Sequence, residues 1–140
     1  AGAFYRVPAT LLYPDLWIVS PGGPEAERRA SQAWHRDPED RPMLKVFLYL
    51  SEVTTESGPL EYVPDSRPGC RYAGLSAAAW SKEPDELAIM RLTVRAMTGA
   101  FFDSSAIHRG GYALRRERRS ITWAYVTPAS IFPPTFTVMS

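Results

Sequence analysis

Cysteine is nearly absent from this chain. Cys70 stands alone among 140 residues, so no disulfide can form within it, and a reducing compartment such as the cytoplasm suits it. Charge excess is missing as well. Sixteen Lys+Arg against fifteen Asp+Glu leave a formal +1, which gives no electrostatic reason to expect nucleic acid or another polyanion as partner. No run approaches the ~18 apolar residues of a membrane span, and nothing resembles a signal peptide. The first residues, Ala1-Gly2-Ala3-Phe4, include no initiator methionine, which leaves open whether the chain is processed or partial. Histidine is scarce too, with only His35 and His108.

Proline and glycine are plentiful. Thirteen prolines and nine glycines cut the sequence into short pieces, which favours β structure over long helices. Strands are expected at Phe4 to Val7, Leu16 to Val19, Met43 to Leu50, Leu60 to Val63 and Arg118 to Thr127. The Met43 to Leu50 run is apolar on both faces apart from Lys45 and reads as central. Leu92 to Ala96 and Ala100 to Asp103 flank Thr98-Gly99 and read as a hairpin. Pro21 to Arg29 reads as a polar loop, and Ser81 as the cap of a helix with acidic residues in its first turn. About eight short strands separated by turn signals predict a mainly β sandwich or jelly roll in one domain, large enough to bury a core.

The two histidines stand in suggestive company. His35 lies in Trp34-His35-Arg36-Asp37, and His108 follows 73 residues later (108 − 35). On a strand, residues i and i+2 share a face, so His35 and Asp37 can hold adjacent corners of one coordination polyhedron while His108 supplies a third from another strand. Two histidines and a carboxylate form the facial triad of non-haem iron sites. A short His-x-Asp is a weak signal alone. The last strand adds to it. Arg118, Ser120, Thr122 and Ala124 share one face, and Arg119, Ile121, Trp123 and Tyr125 the other. An Arg-x-Ser pair facing into a barrel suits a dicarboxylate, with a bidentate guanidinium and a hydroxyl donor. Arg115 and Arg116 read as a solvated basic turn.

These segments together resemble the phytanoyl-CoA dioxygenase-like Fe(II)/2-oxoglutarate oxygenases. The likeness rests on Gln32 to Asp40, on Leu44 to Val53 running on to Ser57-Gly58-Pro59-Leu60-Glu61-Tyr62-Val63-Pro64-Asp65-Ser66-Arg67, and on Thr98 to Asp103 through His108-Arg109-Gly110-Gly111 to Arg118. The resemblance implies a double-stranded β-helix (jelly roll, cupin-like) with short flanking helices. Residues 1–140 would be a single domain, shorter before the iron motif than its relatives. It implies Fe(II) held by His35, Asp37 and His108, and 2-oxoglutarate held by Arg118 and Ser120 with Phe47 beside it. The family's spacing also admits Arg119, but the Arg-x-Ser phase favours Arg118. Lys45 shares the face of Phe47, and whether it reaches the site or turns outward stays open, as does a choice for Asp103 between orienting a ligand histidine and starting a turn. The implied activity is hydroxylation of a small-molecule metabolite by dioxygen, with release of succinate and CO2. Asp37 speaks for hydroxylation over halogenation, because related halogenases carry a small residue there. The competing reading is a non-catalytic metal- or ligand-binding jelly-roll domain.

Overall fold

The computed structural model describes residues 1–22 and 30–135; most of the loop expected at Pro21 to Arg29 falls outside them. The chain winds between two antiparallel sheets. One has the order β1-β7-β2-β5, from β1 (Thr10–Val19), β2 (Leu44–Tyr49), β5 (Thr98–Asp103) and β7 (Arg118–Val126). The other has the order β4-β3-β6, from β3 (Leu60–Tyr62), β4 (Met90–Leu92) and β6 (His108–Gly110). An isolated bridge pairs His35 with His108 and adds one rung beside β6. Successive segments therefore alternate between sheets: β1 in the first, His35 beside the second, β2 back in the first, β3 and β4 in the second, then β5, β6 and β7 in turn. That winding is the jelly roll. Aromatic rings tie the layers together, with Phe102 of β5 set edge-on against Tyr62 of β3 at 5.7 Å and against His108 of β6 at 5.4 Å.

β2 lies between β7 and β5, the central place its apolar sequence predicts. β7 alternates as expected: Arg118, Ser120, Thr122, Ala124 and Val126 are buried, and the residues between them are more exposed. β1 is longer than its predicted portion and runs through Pro14. An edge strand tolerates a proline, and a register shift between Leu11 and Tyr13 bends the strand just before it.

Three expectations are corrected. Phe4 to Val7 is not a strand; the backbone turns helical over α1 (Gly2–Tyr5), and the Tyr5 hydroxyl docks on β2 and β7 by accepting from Leu44 N–H at 2.7 Å and donating to the Tyr125 carbonyl. Ser81 lies within the helix α2 (Ala77–Lys82), whose cap is Ser76, accepting from Ala79 N–H at 3.1 Å; Pro84 falls beyond the helix end. No hairpin joins the runs at 92–96 and 100–103. β4 and β5 pair in different sheets, Thr98-Gly99 opens β5, and the turn comes earlier, at Met97 with φ 63°.

Two apolar clusters close the ends. Leu12, Met43, Ala124 and Val126 form one; Val63, Trp80, Ile89 and Ile107 form the other beneath α2, with Trp34 and Tyr72 against it. Glu61 bridges Arg91 and Arg109, its cross-strand partners on either side, and Arg109 lies 4.2 Å over the Trp34 ring. Two loops cross in backbone contact at Gly58 and Gly111. Gly58 has φ +70°, a Cβ there would stand 2.2 Å from the Gly111 carbonyl, and one on Gly111 would stand 2.3 Å from that of Pro59. Only glycine fits either position. Among the described residues, no helix is long and apolar enough to cross a membrane.

Candidate metal and dicarboxylate site

His35, Asp37 and His108 converge, each offering a ligand atom within 4.8 Å of the others. The expected strand under His35 and Asp37 is reduced to one bridge, preceded by a short 3-10 turn at Ala30–Gln32. Paired backbone bonds hold the histidines together, His35 N–H to the His108 carbonyl at 2.9 Å and the reverse at 3.0 Å, while Asp37 N–H donates to the Ser104 carbonyl at 3.0 Å. The i, i+2 geometry thus survives without a full strand.

Each imidazole is also oriented from behind. His35 Nδ1 lies 2.8 Å from the Ala33 carbonyl, and His108 Nδ1 lies 2.9 Å from that of Ala106. A carbonyl only accepts, so Nδ1 carries the proton and Nε2 presents its lone pair forward. His35 Nε2 is 3.8 Å from Asp37 Oδ1, and His108 Nε2 is 3.7 Å from Asp37 Oδ2. A transition metal holds such ligands at about 2.0–2.2 Å, and two atoms sharing it cannot be further apart than about 4.4 Å; both histidine–aspartate separations fall inside that limit, and all three ligand atoms lie within 4.8 Å of one another. Burial depresses the His108 pKa to about 4, which keeps its imidazole neutral, as ligation requires. The donor set of two nitrogens and one carboxylate therefore fits a metal such as iron(II).

Lys45 reaches the site. Its Nζ stands 2.6 Å from Asp37 Oδ2 as an ion pair, although Oδ2 has no partner with the angles of a hydrogen bond. The Tyr13 ring lies 5.9 Å away. Burial alone would raise the Asp37 pKa, but Lys45 and the other neighbours outweigh it and the carboxyl titrates below its ordinary range.

A cavity of about 400 Å³ opens beside the three residues, walled by Phe47, Leu60, Lys45, Arg118, Ser120 and Thr122, with Tyr13 and Trp17 of β1 on the remaining side. Arg118 is 8% exposed, and Gly110 leaves room for it, since a Cβ there would meet the guanidinium at 3.3 Å. Arg118 Nη1, Thr122 Oγ1 and Tyr49 Oη, all on the inner face of this sheet, are buried without hydrogen-bond partners. Arg119 is turned away, its Nε donating to Glu117 at 2.6 Å. Arg115 and Arg116 pair with Glu52 and Glu56 at the surface, as a solvated turn should.

The sequence-derived residues His35, Asp37, His108, Phe47, Arg118 and Ser120 are thus brought to one place. Asp103 is not behind a histidine. Its Oδ1 accepts from Met43 N–H, Ser105 N–H and the Ser105 hydroxyl, the pattern of a turn start. Phe101 points outward, 73% exposed, while Phe102 packs on Phe47 and His108. Sequence reasoning missed Tyr13, Trp17, Tyr49 and Arg36. Continuing the alternation of β1 back through Pro14 would have placed Tyr13 with Trp17. Arg36 points away from the cavity and donates to five backbone carbonyls, those of Ser66, Ser105, Tyr72, Ala73 and Leu75.

No protein-family model matches the chain, and no curated protein matches it. Solved structures do. AviO1 from Streptomyces viridochromogenes Tue57 superposes over 95% of this chain with a TM-score of 0.65 and 23% identity. The epimerase SnoN, in complex with Fe3+, alpha ketoglutarate and nogalamycin RO, covers 98% at TM-score 0.62 and 23% identity. HygX from Streptomyces hygroscopicus, with nickel and 2-oxoglutarate bound, covers 91% at TM-score 0.62 and 13% identity. The chain spans 57%, 57% and 58% of those three proteins, respectively. At these identities the likeness establishes a shared fold: the jelly roll of this chain is the one on which SnoN and HygX carry metal and 2-oxoglutarate.

Proposed function

We propose that the chain is the catalytic jelly roll of an Fe(II)- and 2-oxoglutarate-dependent oxygenase of the phytanoyl-CoA dioxygenase-like kind, acting in the cytoplasm on a small-molecule metabolite. One observation carries the reading: a two-histidine, one-carboxylate cluster opens onto the same cavity as a buried guanidinium whose Nη1 has no partner. A non-catalytic binding domain has no use for that pairing.

His35, Asp37 and His108 would hold iron(II) through Nε2, carboxylate oxygen and Nε2. Bound there, iron would supply a redox centre for coupling the oxidative decarboxylation of 2-oxoglutarate by dioxygen to hydroxylation of a substrate C–H bond, one oxygen atom leaving in succinate and the other in the product, with release of CO2. Arg118 binds the distal carboxylate of 2-oxoglutarate through its fork, and the Ser120 and Thr122 hydroxyls are placed to donate as well. Phe47 and Leu60 form an apolar wall that limits water, with Phe102 packed edge-on against Phe47. Trp17, half exposed at the cavity, faces arriving substrate. Asp37 fills the third protein position and favours hydroxylation over halogenation. The fold admits other outcomes, since SnoN is an epimerase and SnoK a carbocyclase.

Anaerobic titration with Fe(II) and 2-oxoglutarate tests this, monitored by the weak visible charge-transfer absorption of the chelate. The band should form in the wild-type chain and vanish in His108→Ala. Arg118→Ala should weaken 2-oxoglutarate by about 2–3 kcal/mol, the worth of a charge-assisted contact. Folded wild-type protein that gives no band would leave the binding-domain reading in its place.

A further inference from the structure

We infer that Lys45 sets the balance between the two ligands of this site, its charge weakening a divalent ion and strengthening a dianion. The inference rests on the oxygenase reading and adds a role for a residue outside the ligand set.

Lys45 Nζ stands 2.6 Å from Asp37 Oδ2, the oxygen that lies 3.7 Å from His108 Nε2. An ion shared by Asp37 and the histidines must therefore sit within a few ångströms of an ammonium. Lys45 has little freedom to withdraw. Its side chain is 13% exposed, and its backbone is fixed on both sides of the central strand, opposite Ala124 on β7 and Phe102 on β5. Tyr13 of β1 covers its outer side.

Charge counting then gives the consequence. Apart from the imidazoles, Asp37, Lys45 and Arg118 sum to +1, and among the described residues no acidic side chain is part of the cavity wall. A divalent ion alone raises the sum to +3 in a largely buried space, where unscreened repulsion is strong. A dicarboxylate brings it back to +1, with one end beside the ion and Lys45 and the other at Arg118. A dicarboxylate alone meets attraction instead, so the charge of Lys45 opposes the ion and favours the dianion. The ion and the dianion attract each other in any case, a reciprocal coupling of roughly 5- to 150-fold, and Lys45 shifts both affinities on top of it. A lysine that merely neutralised a buried carboxylate would support metal binding, so its removal would weaken the ion or leave it unchanged. Repulsion requires the opposite sign.

Titration calorimetry of the full chain with Mn(II), alone and with saturating 2-oxoglutarate, separates these. In the wild type, 2-oxoglutarate should tighten Mn(II) by roughly ten-fold or more. Lys45→Met should bind Mn(II) about ten-fold more tightly, with or without 2-oxoglutarate, and 2-oxoglutarate titrated alone about ten-fold more weakly. Lys45→Arg, which keeps the charge, should keep both affinities near wild type. Should Lys45→Met fail to fold, Lys45→Gln keeps a polar tip for Asp37 and carries the same expectation. Equal or weaker Mn(II) affinity in the neutral variants, or 2-oxoglutarate binding that is not weakened, overturns the role of Lys45 and leaves the oxygenase reading standing. Wild-type protein that binds neither Mn(II) nor 2-oxoglutarate overturns both.

Discussion

Arg36 stands between two of the site residues and points the opposite way. Its guanidinium donates at 2.7 Å to the Ser66 and Ser105 carbonyls and at 3.1–3.4 Å to those of Leu75, Tyr72 and Ala73. It thereby ties the segment before β2 to two loops, the one carrying residues 64–75 and the one leading to His108. Replacing it with methionine keeps the apolar stem and removes every donor. A hydrogen bond from a charged group is worth about 1.5–3 kcal/mol, and a buried carbonyl left without a partner costs about 1–3 kcal/mol. Arg36 is only half-buried, so water recovers the longer contacts, and the two short ones decide the outcome. Arg36→Met should therefore lose about 2–4 kcal/mol in urea unfolding, a large part of a domain's usual 5–15 kcal/mol. Arg36→Lys should recover little, because an ammonium cannot span several carbonyls as the fork does. Hydrogen exchange should quicken at Tyr72 and Leu75, whose N–H groups close the turns of that loop. A variant within ~0.5 kcal/mol of wild type, with exchange unchanged, would refute the clamp.

Two further outcomes follow from the fold. Gly58→Ala puts a Cβ 2.2 Å from a carbonyl oxygen at a φ of +70°, and should cost at least about 2 kcal/mol or abolish folding; a melting temperature equal to wild type would show that the loops do not cross there. Tyr5, Tyr49 and Tyr62 have pKa values pushed up to about 12 by burial, against an ordinary 10, so below pH 10 both folded and unfolded chains keep these protons and stability is complete. Between pH 10 and 12 the unfolded chain ionises first and stability is lost. Absorbance at 295 nm should show at least these three of the seven tyrosines ionising late, together with unfolding, whereas seven reversible titrations near 10 would contradict it.

What could be read from the sequence was whatever depended on period and spacing. β2 and β7 announce themselves through apolar density and strict alternation, and the phase of β7 was enough to turn Arg118 inward and Arg119 outward. The histidine and aspartate positions were legible because i, i+2 geometry survives even where the strand shrinks to one bridge. The failures share a cause. Phe4 to Val7 is too short for periodicity to separate strand from helix. The runs around Thr98-Gly99 imitate a hairpin, but a jelly roll sends consecutive segments to opposite sheets, which only long-range pairing reveals. The acidic stretch after Ser81 resembled a first turn when the helix had already started at Ser76. For Arg36 and Lys45 the pattern says which side of the backbone a long side chain leaves from, not where its charge ends.

The inner face of β7 changes character along its length, from Arg118, Ser120 and Thr122 to Ala124 and Val126. The apolar end joins Leu12 and Met43 in a core cluster. The polar end leaves Arg118 Nη1 and Thr122 Oγ1 unpaired, close to Tyr49 Oη in the same condition. Stability alone would not select this, because a buried charge without a partner costs several kcal/mol where a methionine of similar length costs little. Arg118→Met in the ligand-free chain should accordingly melt at or above the wild-type temperature. The wild type should regain stability as 2-oxoglutarate fills the cavity, by about 2.7 kcal/mol at a hundred times its dissociation constant. The variant should show no such gain. A variant that is markedly less stable without ligand would mean that Arg118 is structural, and its solitary position in the cavity would then say nothing about an anion.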